Sequence, residues 1–267
     1  MKKIKFIQVN IFKGKYLNDL IDFLKWEDPD FIAMQEVTTY GFNLSGDKTL
    51  DLFEFLEKRL TMTGAYNGDL KLKSDSRSRF GNALLSKHEI IKTNTIALKN
   101  FRPVTLEELD GVNAAEIRPL ISRNLLSAVV KIEEKEINLM SWHGAWTAPP
   151  TDTFETMRQA KMVAEYIESF DSPFLLGGDL NNVPNSRTVG LINRVANNLM
   201  DFGKIKQTTH PKVHKIVPRG FLVDYIFTSK HFTVEKLTVP EITVSDHLPI
   251  VCELELNYQP DGLPYAP

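Results

Sequence analysis

Pro173-Phe174-Leu175-Leu176-Gly177-Gly178-Asp179-Leu180-Asn181 is an apolar run that breaks at two glycines and ends in a carboxylate and an amide. A run this short, bounded by proline and glycine, reads as a buried strand with a polar tip. Outward along the chain the same signature recurs. Residues 3–10 alternate polar and apolar side chains and end at Asn10. Residues 31–36 read as a second buried strand ending in Gln35-Glu36. Trp142-His143, Leu222-Val223-Asp224 and Ser245-Asp246-His247 follow the same rule. A lone acid after a strand is usually a turn or a cap. Six such ends, supplying four carboxylates and two imidazoles, are harder to dismiss. Carboxylates converging on one rim repel one another unless a cation neutralises them, and hard oxygen donors suit Mg²⁺ or Mn²⁺ better than zinc.

Between the strands, Leu17, Leu20, Ile21 and Leu24 recur at helical spacing until Pro29 stops the helix. One strand–helix–strand crossover makes the strands at 3–10 and 31–36 parallel. A second amphipathic helix is expected over 50–60. Strands are expected at 82–86, 90–98, 125–132 and 137–143. Residues 100–122, with Pro103, Gly111 and Pro119, read as a long surface excursion. The strongest helix covers 153–170, where Met157, Ala160, Val163, Ala164 and Ile167 share a face. A further helix is expected over 188–196, and strands at 221–228, 232–239 and 250–256. Residues 258–267, with three prolines from 259 on, are expected to fray. This order predicts two packed sheets with helices outside.

The chain has 267 residues, 42% hydrophobic and 25% charged, which excludes disordered and collagen-like classes. No apolar run reaches the roughly 18 residues of a membrane span, and the N-terminus lacks a secretory cleavage pattern. With one cysteine, Cys252, no internal disulfide exists; a cytoplasmic location is expected. Thirty-two basic against 34 acidic residues leave a net charge of −2. Binding that relies on phosphate-backbone attraction alone calls for a more basic protein, so nucleic acid stays open as a substrate only through a specific site.

Met34-Gln35-Glu36-Val37, Gly178-Asp179-Leu180-Asn181, Asp224-Tyr225-Ile226-Phe227 and Ser245-Asp246-His247-Leu248-Pro249 resemble the motifs of the endonuclease/exonuclease/phosphatase superfamily. That superfamily includes deoxyribonuclease I, exonuclease III, neutral sphingomyelinases and inositol polyphosphate phosphatases. Gly81-Asn82-Ala83-Leu84-Leu85-Ser86 resembles its central strand, and the match runs in order from Asn10 to His247. The resemblance implies an α+β fold, a four-layer αββα sandwich of two mainly antiparallel sheets, with one catalytic domain over residues 1–257. It implies a divalent-metal-dependent hydrolase of phosphate esters, most readily a phosphodiesterase using in-line water attack, with Mg²⁺ or Mn²⁺ as cofactor. The metal residues would be Glu36, Asn10 and Asp246. The catalytic set would be His143, Asp179, Asn181, Asp224, Asp246 and His247, with Asp224 behind His247. Arg123, Asn181 and His143 would contact substrate phosphate; an arginine ahead of a strand equally fits a plain surface position. A phosphomonoesterase, or a binding module that kept the fold without catalysis, are the alternatives. None of the six motifs is broken, which favours an enzyme.

His143 stands where abasic-site endonucleases carry tyrosine, and Gly220-Phe221-Leu222-Val223 precedes Asp224 without their tryptophan and arginine. Both departures argue against a dedicated abasic-site enzyme. His210 and His214 have i, i+4 spacing, but Pro211 intervenes and no HExxH glutamate is present, so they are not expected to bind metal. Cys252 is expected to pack, as is Trp142, whereas Trp146 lies in a loop that either lines the substrate cleft or lies apart from it.

Overall fold

The computed structural model describes residues 2–214 and 220–257; the expectation of a frayed tail falls outside them. The first half of the chain builds one sheet. Strand β1 (Lys2–Asn10) passes through helix α1 (Leu17–Glu27) to β2 (Phe31–Thr39), then α2 (Leu52–Leu60), β3 (Thr63–Lys71) and β4 (Arg79–Ser86) follow. The second sheet takes β5 (Ile90–Lys99), the short helices α3 (Leu106–Asp110) and α4 (Ala114–Ile117), β6 (Arg123–Ile132) and β7 (Lys135–His143). Helix α5 (Phe154–Glu168) leads to β8 (Phe174–Asp179), followed by α6 (Arg187–Asn193), β9 (Asn197–Asn198) and β10 (Asp224–Thr228). The chain then returns to the first sheet with β11 (Phe232–Thr238) and β12 (Ile250–Leu256).

The two six-stranded sheets run β11-β12-β1-β2-β4-β3 and β5-β6-β7-β8-β10-β9. Among the described strands only β1–β2 and β7–β8 pair in parallel, and α1 and α5 make those two crossovers. Both parallel pairs are central, so their C-terminal ends carry residues toward the same rim of the sandwich. Alternation along β1 explains the layers. Ile4 and Phe6 join Phe31, Leu139 and Leu175 between the sheets, whereas Ile7 and Val9 face outward onto Leu20, Ile21 and Leu24 of α1. Ala160, Val163 and Ile167 of α5 cover the other sheet. The four-layer expectation holds. Among the described residues no helix is long and apolar enough to cross a membrane.

Local signals explain the helix ends. Asp28 takes the left-handed region after α1, just ahead of Pro29, and Asp51 caps α2 by accepting from the Glu54 amide. Thr153 and Thr156 form a reciprocal capping box at α5.

Three expectations are corrected. Strand β3 was not anticipated, because Gly64, Asn67, Gly68 and Asp69 all disfavour a strand. It forms by pairing with β4, with a bulge between Asn67 and Leu70. The strand expected from Phe221 starts at Asp224, since the amides of Val223 and Asp224 donate instead to the Thr208 hydroxyl. Finally, residues 100–122 are no simple surface excursion. They fold into α3 and α4 and bury Val104, Leu109 and Ile121 against Phe42, Leu70 and Phe80, a small third core.

Candidate active site

Strand register assembles the site before any side chain is considered. His143 lies beside Asp179 in the parallel pair β7–β8, and Asp179 beside Asp224 in the antiparallel pair β8–β10. Across the sandwich Asn10 lies beside Gln35. The two sheets are tied at this end by buried polar side chains. Gln8 and Gln35 bond reciprocally, Gln35 donates to Ser141 Oγ at 3.0 Å, and Ser141 donates to the Met34 carbonyl at 2.9 Å. Such a satisfied network fixes how the sheets sit on each other.

Asp179 is the hub. Its Oδ2 accepts from Asn10 Nδ2 at 3.1 Å and lies 3.6 Å from His143 Nε2 and 3.8 Å from His247 Nε2. Its Oδ1 accepts from the Asn181 amide at 2.9 Å, while Asn181 Nδ2 donates to the Gly144 carbonyl at 3.2 Å. Asn181 takes φ +52°, a conformation asparagine tolerates better than most residues. Burial, then the neighbouring Asp224 charge, push the Asp179 carboxyl up to about 7.

The two imidazoles are pushed apart. Burial would lower His247, but the carboxylates of Asp224 and Asp179 outweigh it and hold the ring protonated well above its ordinary range. His247 Nδ1 lies 2.8 Å from Asp224 Oδ2. His143 is held well below the ordinary value by burial and by the positive charges of Arg123 and His247. One rim thus presents a protonated and a neutral imidazole with a carboxyl near neutrality between them.

Glu36 reaches the site by a backbone irregularity. The β2–β4 register slips between Met34 and Val37, and Glu36 takes φ +55°. Among the described residues its buried Oε2 has no hydrogen-bond partner. Asp246 is pushed up to about 6 by burial, with His247 opposing and the Glu36 charge adding to the rise. A half-buried carboxylate with one unpartnered oxygen, sharing the cleft with a second carboxyl and the Asn10 amide, fits a hard cation. Asn10 Oδ1 accepts the Phe12 amide at 3.0 Å, which leaves it one free lone pair. Ligand atoms of Asp179, Asp224 and His247 also fall within 4.8 Å of one another. That trio is a poorer cage, because His247 Nδ1 is already turned onto Asp224.

Arg123 is 4% exposed, not a surface arginine. Its Nε donates to the Gly144 carbonyl at 2.8 Å, and among the described residues no carboxylate forms an ion pair with it. A buried, unpaired guanidinium is a place for an anion. Asn10, Glu36, Arg123, His143, Asp179, Asn181, Asp246 and His247 all line one cleft of about 560 Å³, with Asp224 buried behind His247. Trp146 lines that cleft and Trp142 is buried, as is Cys252. His214, which the sequence sets aside as a metal ligand, belongs to the cleft all the same. It lines the cleft with its ring edge-on to His247, centroids 5.5 Å apart, and its buried Nδ1 has no partner among the described residues. His210 is turned away, within reach of the Thr243 hydroxyl.

No curated protein matches the chain. Among solved structures, an endonuclease/exonuclease/phosphatase from Bacteroides vulgatus superposes with TM-score 0.73 at 19% identity, over 96% of this chain and 100% of that one. A mannosyl-6-phosphatase from Bacteroides thetaiotaomicron gives 0.67 at 15%, over 95% and 100%. D. rerio TDP2 in complex with a single-strand DNA product gives 0.68 at 18%, over 96% and 100%. At these identities the likeness is one of fold. The family model is more specific: it matches residues 7–247, from β1 to the Asp246-His247 pair, and the chain belongs to the Endonuclease/Exonuclease/phosphatase family.

Proposed function

We propose that this protein is a divalent-metal-dependent phosphoesterase, most naturally a phosphodiesterase, whose single catalytic domain spans residues 1–257. The observation that carries this reading is the Asp179 carboxyl set between a protonated and a neutral imidazole, in the same cleft as Glu36, whose Oε2 has no partner among the described residues. Glu36 and Asp246, with Asn10, would hold Mg²⁺ or Mn²⁺. When bound, such an ion neutralises charge on phosphate oxygens and on the leaving oxygen.

The chain's own groups divide the remaining work. Asp179, held by Asn10 and the Asn181 amide, has the proton affinity to take a proton from the attacking water near neutral pH. His247, oriented by Asp224, donates through Nε2 to a phosphate oxygen. His143 contacts phosphate as a neutral ring, and the Asn181 amide side chain and Arg123 bind its remaining oxygens. Because the water enters opposite the leaving oxygen, attack is in line. The test is release of p-nitrophenol from bis(p-nitrophenyl) phosphate with Mg²⁺, Mn²⁺ or chelator, beside p-nitrophenyl phosphate. Metal-dependent turnover of the diester supports the proposal. Faster turnover of the monoester favours a phosphomonoesterase, and none on either ester favours a non-catalytic binding module.

A further inference from the structure

The cleft extends beyond the catalytic rim. Its further lining includes two segments the phosphate chemistry does not use, the turn after β1 and the α3–α4 segment. Together they bring Lys13, Lys15 and Arg118 against one carboxylate, Asp110. This local excess of positive charge stands on a chain whose net charge is −2.

The cations are held in place. Arg118 Nε donates to the Leu109 carbonyl at 2.8 Å and Nη2 to Asp110 Oδ1 at 3.1 Å, with its guanidinium 5.5 Å from the Trp146 ring centre. Its Nη1 has no partner among the described residues, so a fixed fork keeps donors to spare. Lys13 Nζ lies 3.6 Å from Asp110 Oδ2, tying the β1 turn to α3. Lys15 is exposed, in no ion pair among the described residues, with its ammonium 5.3 Å from the Phe12 ring centre.

The turn that presents them is strained. Phe12 and Lys13 take φ +47° and +53°, in the left-handed region that non-glycine residues avoid. Asn10 Oδ1 holds the Phe12 amide, and the Leu44 amide donates to the Lys13 carbonyl at 2.7 Å. Strain of this kind persists where surrounding contacts over-determine it, commonly at ligand clamps.

We infer that Arg118, Lys15 and Lys13 form a second anion subsite, and that the substrate is a small phosphoester carrying a second phosphate on the part bound beside Trp146. The cleft, about 560 Å³, is sized for a small ligand. This rests on the phosphoesterase reading of the inner rim.

The test compares thymidine 5′-(p-nitrophenyl phosphate) with the same ester bearing a 3′-phosphate, a chromogenic pair differing by one anionic group. Wild type should favour the doubly phosphorylated ester at least tenfold in kcat/KM, mostly through KM. Arg118→Met should bring that ratio close to one. Lys15→Met, on an exposed side chain, should lower it by several-fold and guards against a folding defect in the first variant. A wild-type ratio near one, or a ratio unmoved in both variants, overturns the subsite while leaving the phosphoesterase reading intact. Absence of metal-dependent release from either ester overturns that reading and the subsite with it.

Discussion

His247 turns its Nδ1 onto Oδ2 of Asp224 at 2.8 Å, and Asp224 stands one strand over from Asp179 in the β8–β10 register. The carboxylate therefore fixes the imidazole from behind and leaves Nε2 facing the cleft. His247→Ala removes the donor, and Asp224→Asn leaves a ring free to misorient. Each should cut kcat/KM at least about 10²-fold. The double variant should lose little more, because the two act as one unit. Steady-state kinetics of the three variants, beside their melting temperatures, decide this. Additive losses that track stability would argue for mere packing.

Glu36 makes a separable prediction. The side chain is half-buried, and among the described residues its buried Oε2 has no hydrogen-bond partner, which leaves that oxygen open to a cation. Glu36→Gln should abolish metal-dependent turnover. In metal-free protein it should leave the melting temperature nearly unchanged, since the substitution keeps the shape of a half-buried side chain. Mg²⁺ or Mn²⁺ should raise the melting temperature of wild type and not of the variant. Equal stabilisation of both by metal would remove Glu36 from the ion's ligands.

The sequence made the site legible where chemistry sits at a strand end. Asn10, Glu36, His143 and Asp179 each lie at or near the end of an apolar strand, whereas Asp224 opens β10 and His247 precedes β12, and strand order brings both kinds of end to one rim. What stayed hidden depends on partners distant in the chain. The β3 segment has poor strand propensity and forms because β4 offers a ladder. The burial of Leu109 and Ile121 depends on Leu70 and Phe80, which no local pattern reveals. His214 follows Pro211 in a loop, and only the return of β12 sets His247 beside it. In the left-handed turn of Phe12, Lys13 and Gly14 only the glycine announces a positive φ, and the two residues before it take the same region without any such signal.

Gly81 tests the hidden strand directly. A Cβ there would meet the Asn67 carbonyl oxygen at 1.8 Å and two further backbone atoms of β3 within 2.8 Å. Backbone cannot rotate aside as a side chain does. Gly81→Ala should therefore cost at least about 2 kcal/mol by overpacking, measured by urea unfolding. A loss below about 0.5 kcal/mol, the range of ordinary surface substitutions, would mean β3 does not approach β4 this closely.

His214 provides the pH dependence. Burial, then the positive charge of His247, bring it from the ordinary 6.5 down to about 4, so the folded protein keeps this ring neutral where the unfolded chain protonates it. Between about pH 6.5 and 4 the unfolded state therefore binds more protons at this position, and stability falls as pH is lowered through that window. Above pH 6.5 neither state carries the proton and the penalty vanishes. His214→Gln keeps a polar side chain with no titration, so its unfolding free energy should fall less steeply than wild type from pH 7 to pH 4.5. Other acid-titrating groups contribute to both proteins and cancel in the difference. Denaturant unfolding of the two at half-unit pH steps reads that difference. Parallel curves would show that His214 titrates normally and is more open to solvent than its place beside His247 implies.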